Sequence, residues 1–130
     1  MIVQLKNISK QYKDAKFKLQ NISFDINKKE VIGIIGRNGT GKSTILKMIN
    51  GIVNYDSGDI LYKNQSLSEM TPATLRQTRK NLAYIFQHSN LIDNKSVYYH
   101  LSLVYKLNKV PVDKKKVNYI LEFMNISRLK

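Results

Sequence analysis

Cysteine and tryptophan are absent from this 130-residue chain, proline occurs twice, and 9 acidic side chains stand against 22 basic ones. Without cysteine there is neither a disulfide framework nor a thiolate-ligated metal site. Long apolar runs are missing as well. The longest, about Val31 to Gly36, falls far short of the roughly 18 residues that a membrane-spanning helix needs. The start, Met1-Ile2-Val3-Gln4-Leu5-Lys6, has no basic stretch followed by an apolar one, so no secretory signal is expected. What remains, 42% hydrophobic and 24% charged residues, suits one globular unit with a buried core rather than a disordered chain.

The shortage of acid leaves a net charge of +13, which raises the question of an anionic partner. The distribution answers against it. Residues 1–65 carry 11 basic and 5 acidic side chains, residues 66–130 carry 11 and 4, and the one dense cluster is Lys114-Lys115-Lys116. Lysine supplies 18 of the positive charges, beside 15 isoleucines, 13 asparagines and 3 alanines, a compositional skew rather than a binding face. No nucleic-acid partner is expected. His88 and His100 have no accompanying carboxylate or cysteine cluster, so they are assigned surface roles and not metal ligation.

Hydrophobic patterning orders the chain as one α/β unit. Ile2 to Ile8 alternates loosely and Leu19 to Ile26 alternates strictly, which predicts two antiparallel strands joined by the polar stretch from Gln11 to Lys18. Val31-Ile32-Gly33-Ile34-Ile35 is apolar without alternation, as in a strand buried on both faces of a parallel sheet. Lys42 opens a helix with a stripe of Ile45, Leu46, Ile49 and Ile52, stopped near Gly51. A short strand follows from Asp59 to Lys63, then a helix begun by Thr71-Pro72 and running to about Lys80. Asn81 to Phe86 reads as another strand, ending on Gln87-His88-Ser89-Asn90. Ser96 caps a helix carrying Val97, Leu101, Val104 and Tyr105 on one face. Asp113 caps the last helix, with Val117, Ile120, Leu121 and Met124 inward.

Gly36-Arg37-Asn38-Gly39-Thr40-Gly41-Lys42-Ser43 matches G-x-x-x-x-G-K-[ST], the Walker A phosphate loop. Each position answers a physical demand. Glycines open backbone conformations closed to other residues and let the main chain approach phosphate oxygens. Successive N–H groups from Gly39 to Thr44 form an anion nest at a helix N-terminus, where the dipole favours negative charge. Lys42 would reach the β- and γ-phosphates, and the Ser43 hydroxyl would ligate Mg²⁺. The loop follows an apolar segment and opens a helix, the context this chemistry requires.

With these motifs the chain resembles the N-terminal half of an ATP-binding cassette (ABC) nucleotide-binding domain, over essentially all 130 residues. The resemblance rests on Gly36 to Thr44, Asn50-Gly51-Ile52, Asp56-Ser57-Gly58-Asp59-Ile60 and Tyr84-Ile85-Phe86-Gln87 in that order. It implies a P-loop NTPase fold of the ABC type: an antiparallel β subdomain, P-loop core strands and helix, and the start of a helical subdomain. Residues up to about 87 would form the ATP-binding core and β subdomain, and about 88–130 the Q-loop and start of the helical subdomain. The implied cofactors are ATP and Mg²⁺, held by Gly36, Arg37, Asn38, Gly39, Thr40, Gly41, Lys42, Ser43 and Thr44. Gln87 matches the family's Q-loop glutamine, which contacts Mg²⁺ and the attacking water, and whose loop reports nucleotide state to the transmembrane partner. Tyr12 matches the aromatic that stacks on adenine, with Phe17 as the other candidate.

The resemblance further implies a subunit on the cytoplasmic face of the membrane, paired with a second nucleotide-binding subunit as a homodimer. It would engage a transmembrane permease through the Q-loop and helical region, and a substrate-binding protein if it serves import. Phe86 to Ile92 and Leu75 to Arg79 look like the methionine-importer type. Asn64, where many relatives place glycine, tolerates the left-handed turn conformation. The Leu-Ser-Gly-Gly-Gln signature, the Walker B Asp-Glu, the D-loop and the switch histidine are not found, so these 130 residues alone are expected to bind Mg-ATP weakly and not to turn it over. An unpaired sheet edge and uncovered apolar faces are expected too, with a second copy covering them in solution. The alternatives are a soluble ABC ATPase acting on nucleic acid or the ribosome, and a non-catalytic nucleotide-binding module.

Overall fold

The computed structural model describes residues 1–12, 18–88 and 90–129, and within them the chain forms two compact units, Met1–Tyr84 and Ile85–Lys130. Phe17, most of the predicted connection before Lys18, and Ser89 lie outside the described residues.

In the first unit, β1 (Val3–Gln11) and β2 (Lys18–Ile26) pair antiparallel, and β1 also pairs antiparallel with β3 (Ser57–Tyr62). A short β4 (Gln65–Ser66) completes the sheet order β2-β1-β3-β4. Leu5 faces Phe24 on one side and Ile60 on the other, a rung that is apolar throughout. Leu5 and Ile8 are both fully buried although they are three residues apart, which a regular two-residue alternation forbids. The ladder slips between them, with Asn7 in the left-handed region (φ 51°). This bulge returns Ile8 to the core face and explains the loose alternation of the sequence. Asn7 is held there by its N–H donating to Ser23 Oγ at 2.8 Å and its Oδ1 accepting from the same hydroxyl at 3.1 Å. Gly58 lies across from the bulge at φ 88°. A Cβ on it would sit 2.4 Å from the carbonyl oxygens of Lys6 and Asn7, so only glycine fits.

Helix α1 (Lys42–Ile49) covers the sheet with Ile45, Met48 and Ile49, which join Val3, Leu5, Ile8, Leu19, Ile60, Tyr62 and Leu67 in the core. Leu46 and Ile52, expected on this stripe, are each 45% exposed. A helix turns about 100° per residue, so Met48 completes the face begun by Ile45, and Leu46 points aside. Gly51 (φ 63°) ends the helix: its N–H donates to Met48 O at 2.8 Å and that of Ile52 to Lys47 O at 2.8 Å, the Schellman pattern. β3 turns into β4 through Lys63 and Asn64 at φ 49° and 65°, a two-residue hairpin that uses the left-handed conformation asparagine tolerates. Thr71 caps α2 (Pro72–Arg79) by accepting from the Thr74 N–H at 3.2 Å, with Pro72 in the first turn as anticipated. Arg79 then donates Nε to Asn50 O at 3.0 Å and Nη2 to Gly51 O, capping the carbonyl end of α1.

Two expected inner strands do not form. Neither Val31–Ile35 nor 81–86 belongs to the sheet. Val31, Ile35 and Ile85 are 96%, 97% and 94% exposed. A strand buried on both faces takes its order from ladder neighbours and from layers above and below it, and no strand among the described residues pairs with these segments. Ile34 and Leu82 alone pack partly against the first unit's core.

The second unit is helical. α3 (Val97–Leu107) starts at Ser96, which accepts from the Tyr99 N–H at 3.1 Å, and α4 (Lys114–Phe123) starts at Asp113, which accepts from Lys116 N–H at 3.0 Å. Val117 and Leu121 are fully buried as the periodicity predicts. Val104 and Met124, expected inward, are 61% and 59% exposed, and Tyr119 stacks on Phe123 at the surface, centroids 6.2 Å apart. Two short helices have one shared seam, and the residues flanking it stay open.

Candidate nucleotide-binding site

The phosphate-loop sequence folds as its glycines dictate. Gly39 (φ 80°) and Gly41 (φ 88°) take left-handed conformations that carry a cost for any side chain. Gly41 is the residue before α1, and Leu19 of β2 lies directly beneath it: a Cβ there would be 2.8 Å from a Leu19 methyl. The hairpin therefore sets the height of the loop. A Cβ on Gly36 would lie 2.9 Å from Thr40 Oγ1, which donates to Arg37 O at 2.8 Å.

Lys42 reaches back across the loop. Its Nζ donates to Gly36 O at 2.8 Å and to Arg37 O at 2.7 Å, so the ammonium is seated on two neutral carbonyls inside the ring of backbone formed by Gly36 to Gly41. The first turn of α1 receives no side-chain cap and contains no acidic residue. Its orphan N–H groups and the positive end of the dipole thus lie beside a lysine with two exchangeable acceptors, which suits a polyanion. Ser43 is exposed and Thr44 half-buried in that same turn. A hard cation would find one hydroxyl oxygen there and take its remaining ligands from phosphate and water, the usual manner for Mg²⁺. Among the described residues no group of three or more His, Cys, Asp or Glu side chains could hold a metal by itself.

Tyr12 stands at the end of β1, 46% exposed, with the Lys10 ammonium 5.5 Å from its ring centroid. Lys10 is fixed in turn by Asp56 at 2.6 Å, and Asp56 also accepts from the Gln11 N–H at 2.7 Å. Those two donors hold the Asp56 carboxyl below its ordinary range. The contact therefore stabilises the fold above about pH 4 and is lost as pH falls through the lowered value. Gln87 and His88 are exposed and belong to the second unit. Gly36 to Thr44 are thus gathered by hydrogen bonds into one site, Tyr12 is tied to Asp56 through Lys10, and Gln87 is carried by a different body.

Sequence reasoning missed the support of this site. Leu19 beneath Gly41 and Arg79 on the far end of α1 come from elements distant in the chain, and no motif marks them. His100, given only a surface role, accepts the Ile92 N–H on Nε2 at 2.9 Å.

A family profile described as ABC transporter matches residues 19–130. The methionine import ATP-binding protein MetN of Clostridium tetani is 39% identical over 117 residues, covering 88% of this chain and 36% of that protein. The phosphonates import ATP-binding protein PhnC of Fusobacterium nucleatum is 41% identical over 96 residues, 74% of this chain and 38% of the relative. The dimeric structure of MJ0796, a bacterial ABC transporter cassette, superposes with a TM-score of 0.79 at 24% identity, covering 99% of this chain and 58% of that one. The same cassette in a post-hydrolysis state bound to ADP and Pi gives 0.77. The chain spans under half the length of the curated relatives it matches.

Proposed function

The chain belongs to the ABC transporter family, and from that premise we propose that it forms the nucleotide-binding part of the ATP-binding subunit of an importer for a methionine-like amino acid. The carrying observation is the loop from Gly36 to Thr44: left-handed glycines, an uncapped helix start, and a lysine resting on carbonyls it can exchange for phosphate oxygens. The choice of substrate class follows the MetN relatives, which match up to 99% of the chain.

In this reading Lys42 leaves Gly36 O and Arg37 O and pairs with β- and γ-phosphate oxygens, exchanging neutral acceptors for charged ones. The backbone N–H groups from Gly39 to Thr44 hold the phosphates in place, and Ser43 Oγ ligates Mg²⁺, which when bound neutralises phosphate charge. Tyr12 offers its open ring face to adenine. Gln87 orients the attacking water and passes nucleotide state to a transmembrane permease, with the helical region docking that permease. A second nucleotide-binding subunit completes the site, and a substrate-binding protein delivers cargo. The complex lies at the cytoplasmic face of the membrane, and no helix of the described residues is long and apolar enough to cross it.

The 130 residues by themselves contain no Asp-Glu pair to anchor Mg²⁺ and polarise water, so they bind Mg-ATP without turning it over. Steady-state phosphate release by the pure chain decides the point: none above background is expected, and turnover that disappears in Lys42→Ala would overturn it.

A further inference from the structure

His100 has a protonation form dictated by its contacts. It lies in the first turns of α3, with Nε2 receiving the Ile92 N–H at 2.9 Å and Nδ1 placed 2.9 Å from the Ser96 carbonyl oxygen. A carbonyl oxygen only accepts, so Nδ1 carries the hydrogen. An amide N–H only donates, so Nε2 presents a lone pair. Both bonds together require the neutral imidazole in its Nδ1–H tautomer.

The ring thereby fastens both ends of the segment 92–96 to the helix it precedes. That segment is a turn with Asn94 at φ 60°, and it ends at Ser96, whose hydroxyl caps α3. A tyrosine and two lysines stand beside it on this stretch. The Tyr99 ring meets His100 edge-on at 5.9 Å, and the Lys95 and Lys106 ammonium groups lie 5.2 and 5.0 Å from the Tyr99 ring centroid. Asp93 is the one acid on the fastened segment.

We propose that His100 is a positioning residue for the stretch of chain that links Gln87 to α3: its neutral ring holds 92–96 on the helix start, and protonation releases them. The added proton turns Nε2 into a donor facing another donor, so the Ile92 bond cannot survive it. The consequence for transport rests on the reading of Gln87 given above, since a loosened link passes nucleotide state to a partner less directly. The fastening itself does not depend on that reading.

The test is carried out on this chain without nucleotide, by imidazole ¹⁵N spectra and amide exchange of Ile92 corrected for intrinsic rates. At about pH 8 the spectra are expected to show the Nδ1–H tautomer, with the Ile92 amide about fivefold better protected than in His100→Leu. On acidification to the point where the same spectra show the ring protonated, the wild-type protection falls to that of the leucine variant, while His100→Gln, whose carbonyl accepts without carrying a ring proton, stays protected in both conditions. The Val117 amide, bonded to Asp113 O at 3.0 Å, reports that α4 stays folded throughout. An Nε2–H tautomer at about pH 8, or wild-type Ile92 protection unchanged once the spectra show the ring protonated, overturns the proposal. If His100→Leu does not fold, the wild-type titration and His100→Gln still decide. Loss of nucleotide response in Gln87→Ala tests the other reading separately, so the two failures cannot be confused.

Discussion

Among the described residues, three of the four α-helices begin alike, and the fourth does not. Thr71, Ser96 and Asp113 each stand in extended conformation before a helix and accept a hydrogen bond from the N–H of the third residue onward, at 3.2, 3.1 and 3.0 Å. α1 instead begins at left-handed Gly41, with no side-chain acceptor. Each capped start satisfies one of its orphan donors from within the chain, which stabilises the helix. The uncapped start leaves its donors for something outside the chain and places Lys42 beside them. The contrast teaches that the site is recognised as much by the missing cap as by the glycines that replace it.

Changing either kind of start should separate stability from binding. The largest effect is expected from Gly41→Ala. It forces a side chain to φ 88° and against Leu19, so it should cost about 2 kcal/mol and remove nucleotide binding as well, measured by denaturant unfolding and nucleotide titration. Smaller losses, about 1 kcal/mol each, are expected from Ser96→Ala and Asp113→Ala in the same unfolding experiment, with nucleotide binding unchanged. If a cap variant weakened nucleotide binding as strongly as Gly41→Ala, the distinction between the two kinds of helix start would fail.

Local signals were readable in advance because they are local. Thr71-Pro72, Ser96, Asp113 and Gly51 mark helix ends through contacts three to five residues away, and each was anticipated. So was the left-handed Asn64. The β1–β2 pairing followed from strict alternation in β2. The bulge at Asn7 was not readable, since it depends on Ser23 and on Gly58 meeting Lys6 and Asn7 across the sheet. Val31–Ile35 failed in the other direction. Its composition suits a doubly buried strand, yet composition cannot supply the ladder neighbours, and Val31 and Ile35 stand in solvent. In the site, the glycines and Lys42 were legible from spacing, whereas the lysine's seat on Gly36 O and Arg37 O and the support from Leu19 were tertiary.

The central claim is that the open start of α1 is a phosphate site completed by Lys42. Calorimetric titration of Mg-ATP into the chain and into Lys42→Ala tests it most directly. The account predicts saturable binding to the wild type, weakened at least about tenfold in the variant with its unfolding midpoint unchanged. Equal affinity of the two proteins would contradict it.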